Sequence, residues 1–163
     1  MILRQVAIQM LPFTVLLSSS FMIWKSLCLM TNSSFPILVV LSGSMEPTFQ
    51  RGDILVLWNR TNDVQVGAIV VFTLSDRESL SVHRVVRKYG EGNHVKILTK
   101  GDYNEYSDEI LYPGHQEFLA LRDIVGNVVG YIPRLGYTTI LLSENQWLKL
   151  MLIGTLGIGC YVL

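Results

Sequence analysis

Two closely spaced serines follow an apolar segment, residues 36–41, and lie in the sequence S-G-S-M-E-P at 42–47. A serine is an effective nucleophile only when a base removes its proton and nearby donors stabilise the oxyanion that forms. A strand ahead of Ser42 and Ser44 would hold both rigidly, and Gly43 would allow close approach of a substrate backbone. Because S-G-S alone is common in loops, it predicts a nucleophile only together with a base.

One of the three histidines is suited to be that base. His94 follows the turn sequence G-E-G-N and His115 lies in a polar stretch, so both are expected in solvent. His83 lies in V-H-R-V-V, within a predicted strand that would fix its position. An unperturbed imidazole titrates near about pH 6.5, which makes it a natural proton acceptor at neutral pH. A histidine packed only for stability is the alternative.

Acidic residues that could orient the imidazole lie in T-K-G-D-Y-N-E-Y-S-D, residues 99–108. A carboxylate on the far side of a catalytic imidazole fixes its tautomer and stabilises the imidazolium. Asp102 follows a strand and Gly101, so we expect it to bond local backbone amides and to hold the turn. Asp108 could fold back onto His83. Lys100 is an alternative base, since a lysine can also activate a serine.

Charge is concentrated in the middle of the chain. Half of the 163 residues are hydrophobic and 16% are charged, against about 25% charged in an ordinary soluble domain. Of the 13 basic and 13 acidic residues, 21 lie between Arg51 and Arg134. Net charge is zero and no basic run occurs, which argues against nucleic-acid binding. The two cysteines give neither a disulfide framework nor a metal-ligand spacing, and we expect no metal or other cofactor.

The amino-terminal segment predicts a membrane anchor. Residues 5–24 carry no charge and are flanked by Arg4 and Lys25, and about 20 such residues cross a bilayer. A cleavable signal peptide would be shorter and would end in a small-residue site, which is lacking here. We therefore predict an anchor over residues 5–30. Arg4 favours a cytosolic amino terminus and a lumenal main domain, although Lys25 reduces that bias.

The middle of the chain predicts a small β-rich domain over residues 36–145. Short segments rich in Val, Ile and Leu, separated by turn sequences, predict strands at residues 36–41, 54–58, 68–74, 80–87, 95–98 and 124–131. The polar residues 103–116 predict a surface loop. Residues 146–163 predict an apolar helix that is associated with the membrane or, alternatively, packed against the domain. The fold class expected is mainly β with one amino-terminal transmembrane helix.

The chain resembles the signal peptidase I family of the endoplasmic reticulum in the order of its motifs. These are the apolar amino-terminal segment, then S-G-S-M-E-P, V-H-R-V and T-K-G-D-Y-N-E-Y-S-D. The resemblance includes V-G-N-V-V-G-Y-I-P and L-G-Y near the end, residues 125–133 and 135–137. It implies that Ser44 is the nucleophile, His83 the base and Asp108 the third member of a triad. It also implies that Asp102 is needed for activity and that Ser42 contributes to the oxyanion hole with the Ser44 amide.

The resemblance further implies a function and its setting. We expect a single-pass endoplasmic reticulum membrane protein, cytosolic at its amino terminus, that cleaves signal peptides from secretory precursors after small residues. Its expected partners are those signal peptides, accessory subunits of a signal peptidase complex and membrane lipid. A non-catalytic membrane subunit is the alternative function, and an archaeal relative, facing the cell exterior, remains open. The sequons at Asn32 and Asn59 do not predict glycosylation.

Overall fold

The computed structural model describes residues 2–60, 64–73, 79–90, 94–112 and 116–162. The chain divides into two compact units, one formed by Thr31–Tyr137 and one by Met1–Met30 together with Thr138–Leu163. The first unit contains the sheet, and the second contains most of the helical residues.

Seven strands form one antiparallel sheet in the described part of the first unit. Their order across the sheet is β1-β2-β7-β3-β4-β5-β6. The strands are β1 Ile37–Val39, β2 Ile54–Trp58, β3 Ile69–Thr73, β4 Leu80–Tyr89, β5 Lys96–Lys100, β6 Leu119–Ala120 and β7 Ile124–Ile132. The predicted mainly β class is confirmed.

The hydrophobic core comprises two clusters of buried side chains. Successive side chains of a strand point to opposite faces of its sheet. Three successive residues of the central strand β3 are buried, Val70, Val71 and Phe72, which shows that this strand is covered on both faces. The larger cluster is Val64, Val70, Phe72, Val85, Val95, Ile97, Leu98, Tyr112, Leu119 and Ile124. The smaller cluster is Val40, Met45, Phe49 and Leu55. It lies beside residues 42–47, called the serine turn below.

One sequence prediction about an irregular segment was correct only in part, and one helix was not predicted. The supposed surface loop at residues 103–116 contains the 3-10 helix Asp108–Leu111, and Asp108 and Tyr112 are buried. A separate short helix, α2 Tyr137–Glu144, follows the sheet where no helix was expected. Strand β1 is also shorter than predicted because the chain turns after Val40 to form the serine segment.

The remaining helices are α1 Ile2–Thr31 and α3 Gln146–Val162. Among the described residues, one helical stretch, Met10–Thr31, is long and apolar enough to cross a membrane, with a mean hydropathy of 1.5. Hydroxyls in α1 donate back to carbonyls three or four residues earlier, which satisfies polar groups that a bilayer would leave unpaired. They belong to Thr14, Ser19, Ser20 and Ser26.

Candidate active site

Ser44 and His83 meet at the end of the serine turn. Ser44 lies in the turn that follows β1, and His83 lies within the ten-residue strand β4. The Ser44 Oγ is 3.2 Å from the His83 Nε2. His83 is 3% exposed, so the sheet holds its ring in one position. The two residues that the sequence proposed as nucleophile and base are therefore within hydrogen-bond distance.

Asp108 contacts the other side of the same imidazole. Its Oδ2 is 2.6 Å from the His83 Nδ1, and it is 2% exposed. Because a carboxylate only accepts hydrogen bonds, Nδ1 carries the proton and Nε2 presents its lone pair to Ser44. The Ser81 hydroxyl is 3.5 Å from Nδ1 and is a much weaker partner for it. The geometry is that of a serine hydroxyl, an imidazole and a carboxylate in series.

Two residues that were not predicted from the sequence are connected to Asp108 by hydrogen bonds, Thr99 directly and Tyr112 through Thr99. Thr99, on β5, donates from Oγ1 to the Asp108 Oδ2 at 2.8 Å. The Tyr112 hydroxyl, one residue beyond the 3-10 helix, accepts the Thr99 N–H at 2.7 Å. Burial raises the pKa of Tyr112, which keeps its hydroxyl protonated. The only sequence signal was that Thr99 begins the T-K-G-D box.

Asp102 connects three segments of the chain near Ser44 through hydrogen bonds to Thr48 and Arg84. Arg84 donates to it from Nε at 2.8 Å and from Nη2 at 2.7 Å, and the Thr48 hydroxyl donates to it as well. Local backbone amides were expected as its partners, and that expectation was wrong because Arg84 across the sheet offers a bidentate fork. The hydrogen bond from Arg84 lowers the pKa of Asp102.

The backbone beside Asp102 also holds the serine turn. The Tyr103 N–H donates to the Ser44 carbonyl at 3.0 Å. Gly101 approaches the same carbonyl so closely that a Cβ built on it would lie 2.7 Å from the oxygen. The turn at residues 101–103 therefore fixes the backbone of Ser44, and Asp102 fixes that turn to β4.

Lys100, the alternative base, is paired with Arg84 in the register of β4 and β5. Paired residues share a face of a sheet, and successive residues point to opposite faces. Lys100 therefore lies on the face opposite to His83 and Thr99. The register does not favour Lys100 as the base for Ser44.

Ser42 lies beside Ser44, and their Oγ atoms are 3.3 Å apart. Both serines line a cleft of about 410 Å³ between two stretches of chain, residues 38–45 and residues 79–82. Most of the cleft's lining side chains are aliphatic, including Leu38, Leu41 and Leu80. Strand β1 forms one end of the sheet and pairs only with β2 among the described residues.

The other histidines lie apart from this site or outside the described residues. His94 is exposed, as predicted. His115 falls in residues 113–115, which lie outside the described part of the chain. A second cleft, of about 400 Å³, is lined by Pro47, Thr48, Gln50, Asp53, Tyr131, Pro133 and Arg134 and by none of the residues of the serine–imidazole–carboxylate series.

Comparison with known proteins identifies a family for most of the chain. Residues 7–129 match the family described as Peptidase S24-like. The signal peptidase complex catalytic subunit SEC11 of Colletotrichum graminicola is 54% identical over 157 residues, which cover 95% of this chain and 91% of that protein. Its counterpart in Verticillium alfalfae is 52% identical over the same shares of the two chains.

Identity above 50% across nearly the full length of both chains leaves no large part of either protein unmatched. The predicted membership of the signal peptidase family is thereby confirmed. The chain belongs to the Peptidase S24-like family and, within it, to the family of signal peptidase complex catalytic subunits.

Proposed function

We propose that this chain is a membrane-anchored serine endopeptidase that removes signal peptides from precursors entering the endoplasmic reticulum. Ser44 is the nucleophile, His83 the general base and then the general acid, and Asp108 the carboxylate that orients His83. The observation that carries this proposal is the pair of distances at one imidazole, 3.2 Å from Nε2 to Ser44 and 2.6 Å from Nδ1 to Asp108.

The reaction follows from that arrangement. His83 Nε2 takes the Ser44 proton as Oγ attacks the scissile carbonyl, and Asp108 stabilises the imidazolium that forms. The Ser44 N–H and the Ser42 hydroxyl are the proposed oxyanion donors. His83 then gives its proton to the leaving amine, which departs as the mature protein. Water, deprotonated by the same imidazole, hydrolyses the ester that joins the signal peptide to Ser44.

The cleft beside Ser44 suits an extended peptide. Among the described residues β1 pairs only with β2, so a peptide could add to its other edge as a strand and gain affinity through main-chain hydrogen bonds. The aliphatic lining from Leu38 to Leu41 would receive alternate side chains of the bound segment. This arrangement is consistent with the small residues that mark a signal-peptide cleavage site.

The setting we propose is the endoplasmic reticulum membrane, with a cytosolic amino terminus and a lumenal catalytic domain. Residues 5–30 are the anchor, residues 36–145 the catalytic domain and residues 146–163 a membrane-associated helix. The proposed partners are signal peptides, membrane lipid and the accessory subunits of a signal peptidase complex, since the relatives are named as its catalytic subunits.

Precursor cleavage by variants of the full chain tests the proposal. In membranes that supply the accessory subunits, Ser44→Ala and His83→Ala should each lower cleavage of a secretory precursor by at least about 10⁴-fold. The exposed residues Ser34 and His94 offer matched controls, so Ser34→Ala and His94→Ala should cleave normally. Turnover by Ser44→Ala above background would refute the assignment, provided that each variant assembles as the parent does.

The alternative, a non-catalytic subunit that positions substrates, needs no contact among Ser44, His83 and Asp108. The contacts described above do not favour it. It predicts that all four variants support cleavage equally, which makes the same experiment decisive between the two functions.

A further inference from the structure

Four buried side chains form a chain of hydrogen bonds that ends at the imidazole. Tyr112, Thr99, Asp108 and His83 are each at most 3% exposed. The Tyr112 hydroxyl is 3.1 Å from the Thr99 Oγ1, which is 2.8 Å from the Asp108 Oδ2, which is 2.6 Å from the His83 Nδ1. The four residues come from three segments of the chain, β4, β5 and residues 108–112, so their alignment is a product of the fold.

The direction of each hydrogen bond follows from the donors and acceptors available. The Asp108 carboxylate accepts from both neighbours, so the single proton of the Thr99 hydroxyl points at Oδ2. Tyr112 must then donate to Thr99 Oγ1, and its own oxygen accepts the Thr99 N–H at 2.7 Å. Tyr112 thus donates to Thr99, and Thr99 donates to Asp108. Each of the two hydroxyl protons has one defined acceptor.

We propose that Thr99 and Tyr112 are positioning residues that set the proton affinity of the His83 imidazole through Asp108. The inference rests on the proposed function, in which His83 is the base. A donor on Oδ2 withdraws negative charge from the carboxylate, which lessens its stabilisation of the imidazolium.

Tyr112 acts on this chain through cooperativity. A hydroxyl that accepts a hydrogen bond becomes a stronger donor in a buried site. The bond from Tyr112 therefore strengthens the bond from Thr99 to Asp108. Removing the Tyr112 hydroxyl should therefore change the proton affinity of His83 in the same direction as removing the Thr99 hydroxyl, but by less.

Other charged groups near these four residues do not break the hydrogen bonds among them. Asp102 interacts electrostatically with His83, and it is itself bound by the Arg84 fork. Glu109 is the second acid near Tyr112, and it accepts a hydrogen bond from the Ser107 hydroxyl. From β3 the neighbour is the uncharged Phe72 ring, 6.0 Å from the His83 ring centre and 5.9 Å from that of Tyr112.

Thr99→Val removes the hydroxyl at nearly constant shape, and Thr99→Ser is the matched control that retains it. The readout is the pH dependence of kcat/KM for precursor cleavage by the full chain with its accessory subunits. The acidic limb of Thr99→Val should move upward by about half a pH unit, because part of one hydrogen bond's energy is transferred to the imidazole. Thr99→Ser should keep the limb of the parent.

Tyr112→Phe is the second variant, and its limb should move upward by less than that of Thr99→Val. It keeps the proposal testable should the valine variant fail to fold. A merely structural role would lower stability or kcat in either variant without moving the limb. Coincident limbs in the parent and in every folded variant would therefore overturn the proposal.

A second readout is independent of activity. In the Ser44→Ala chain, ¹⁵N spectra of the imidazoles follow the protonation of His83, with His94 as an exposed reference. Adding Thr99→Val should raise the midpoint for His83 and leave that of His94 unchanged. Failure of the proposed function would appear as cleavage by Ser44→Ala, whereas failure of this inference would appear as an unmoved His83 midpoint.

Discussion

Alanine at Gly101 should displace Ser44 without replacing any residue of the proposed reaction. A Cβ at this position would lie 2.7 Å from the Ser44 carbonyl oxygen and 2.7 Å from the Asn104 Nδ2. The Asn104 side chain can rotate away, whereas the carbonyl belongs to the backbone of the serine turn. An ordinary carbon–oxygen contact needs about 0.7 Å more, so the turn must shift by roughly that amount.

A shift of this size matters because the Ser44 Oγ is 3.2 Å from the His83 Nε2. It would move the pair out of hydrogen-bond distance, and a displacement of about 1 Å costs about 10²-fold in rate. We therefore expect kcat for precursor cleavage to fall by about 10² in Gly101→Ala. KM should change less than kcat, because the shift alters only the Ser44 end of the cleft and leaves its lining along β1 in place.

The matched control is Gly130→Ala on β7. A Cβ at Gly130 would meet nothing within 4 Å, so that variant should keep the kcat of the parent. Overpacking at Gly101 should also cost about 1–3 kcal/mol of unfolding free energy, which a denaturation curve measures. Equal kcat in the two glycine variants, with both folded, would refute the claim that the turn at residues 101–103 positions Ser44.

Three further predictions concern the polar groups around the site. Ser42→Ala should lower kcat by about 10² at constant KM, as the loss of one oxyanion donor does, and Ser42→Thr should recover part of it. Asp108→Asn should lower kcat on the order of 10⁴-fold while the chain stays folded, since an amide donating to Nδ1 would favour the wrong tautomer of His83. Asp102→Asn should be less stable than the parent at neutral pH in a denaturation assay. Because Arg84 lowers the pKa of Asp102, the parent's advantage is complete above about pH 3.9, the unfolded value. That advantage is lost as the pH falls through the folded value, so the two denaturation curves should converge in acid.

The sequence predicted the sheet well because its strands are short apolar runs bounded by turn residues. It also predicted that His83 lies within a strand, as it does in β4, whereas Ser44 lies in a turn beyond the end of β1. The burial of Asp108 was not evident, because a polar stretch that folds inward has the same composition as one that remains in solvent. Thr99 and Tyr112 were missed for a related reason: hydroxyls become informative only when their partners are known.

The partner of Asp102 illustrates a second limit. Its fork from Arg84 depends on the register of β4 and β5, which pairs Arg84 with Lys100. Hydrophobic alternation constrains which face a residue occupies, but it does not specify which residue lies opposite. Helix α2 was missed because its sequence, Y-T-T-I-L-L-S-E, is short and contains two adjacent β-branched threonines.

The proposed mechanism is tested most directly by finding which side chain takes the proton from Ser44. The measurement is the pH profile of kcat/KM for precursor cleavage by the parent, by His83→Ala and by Lys100→Ala. The parent and Lys100→Ala should share one acidic limb, and His83→Ala should show only background cleavage at every pH. Activity that survives in His83→Ala and disappears in Lys100→Ala would show that Lys100, and not His83, is the base.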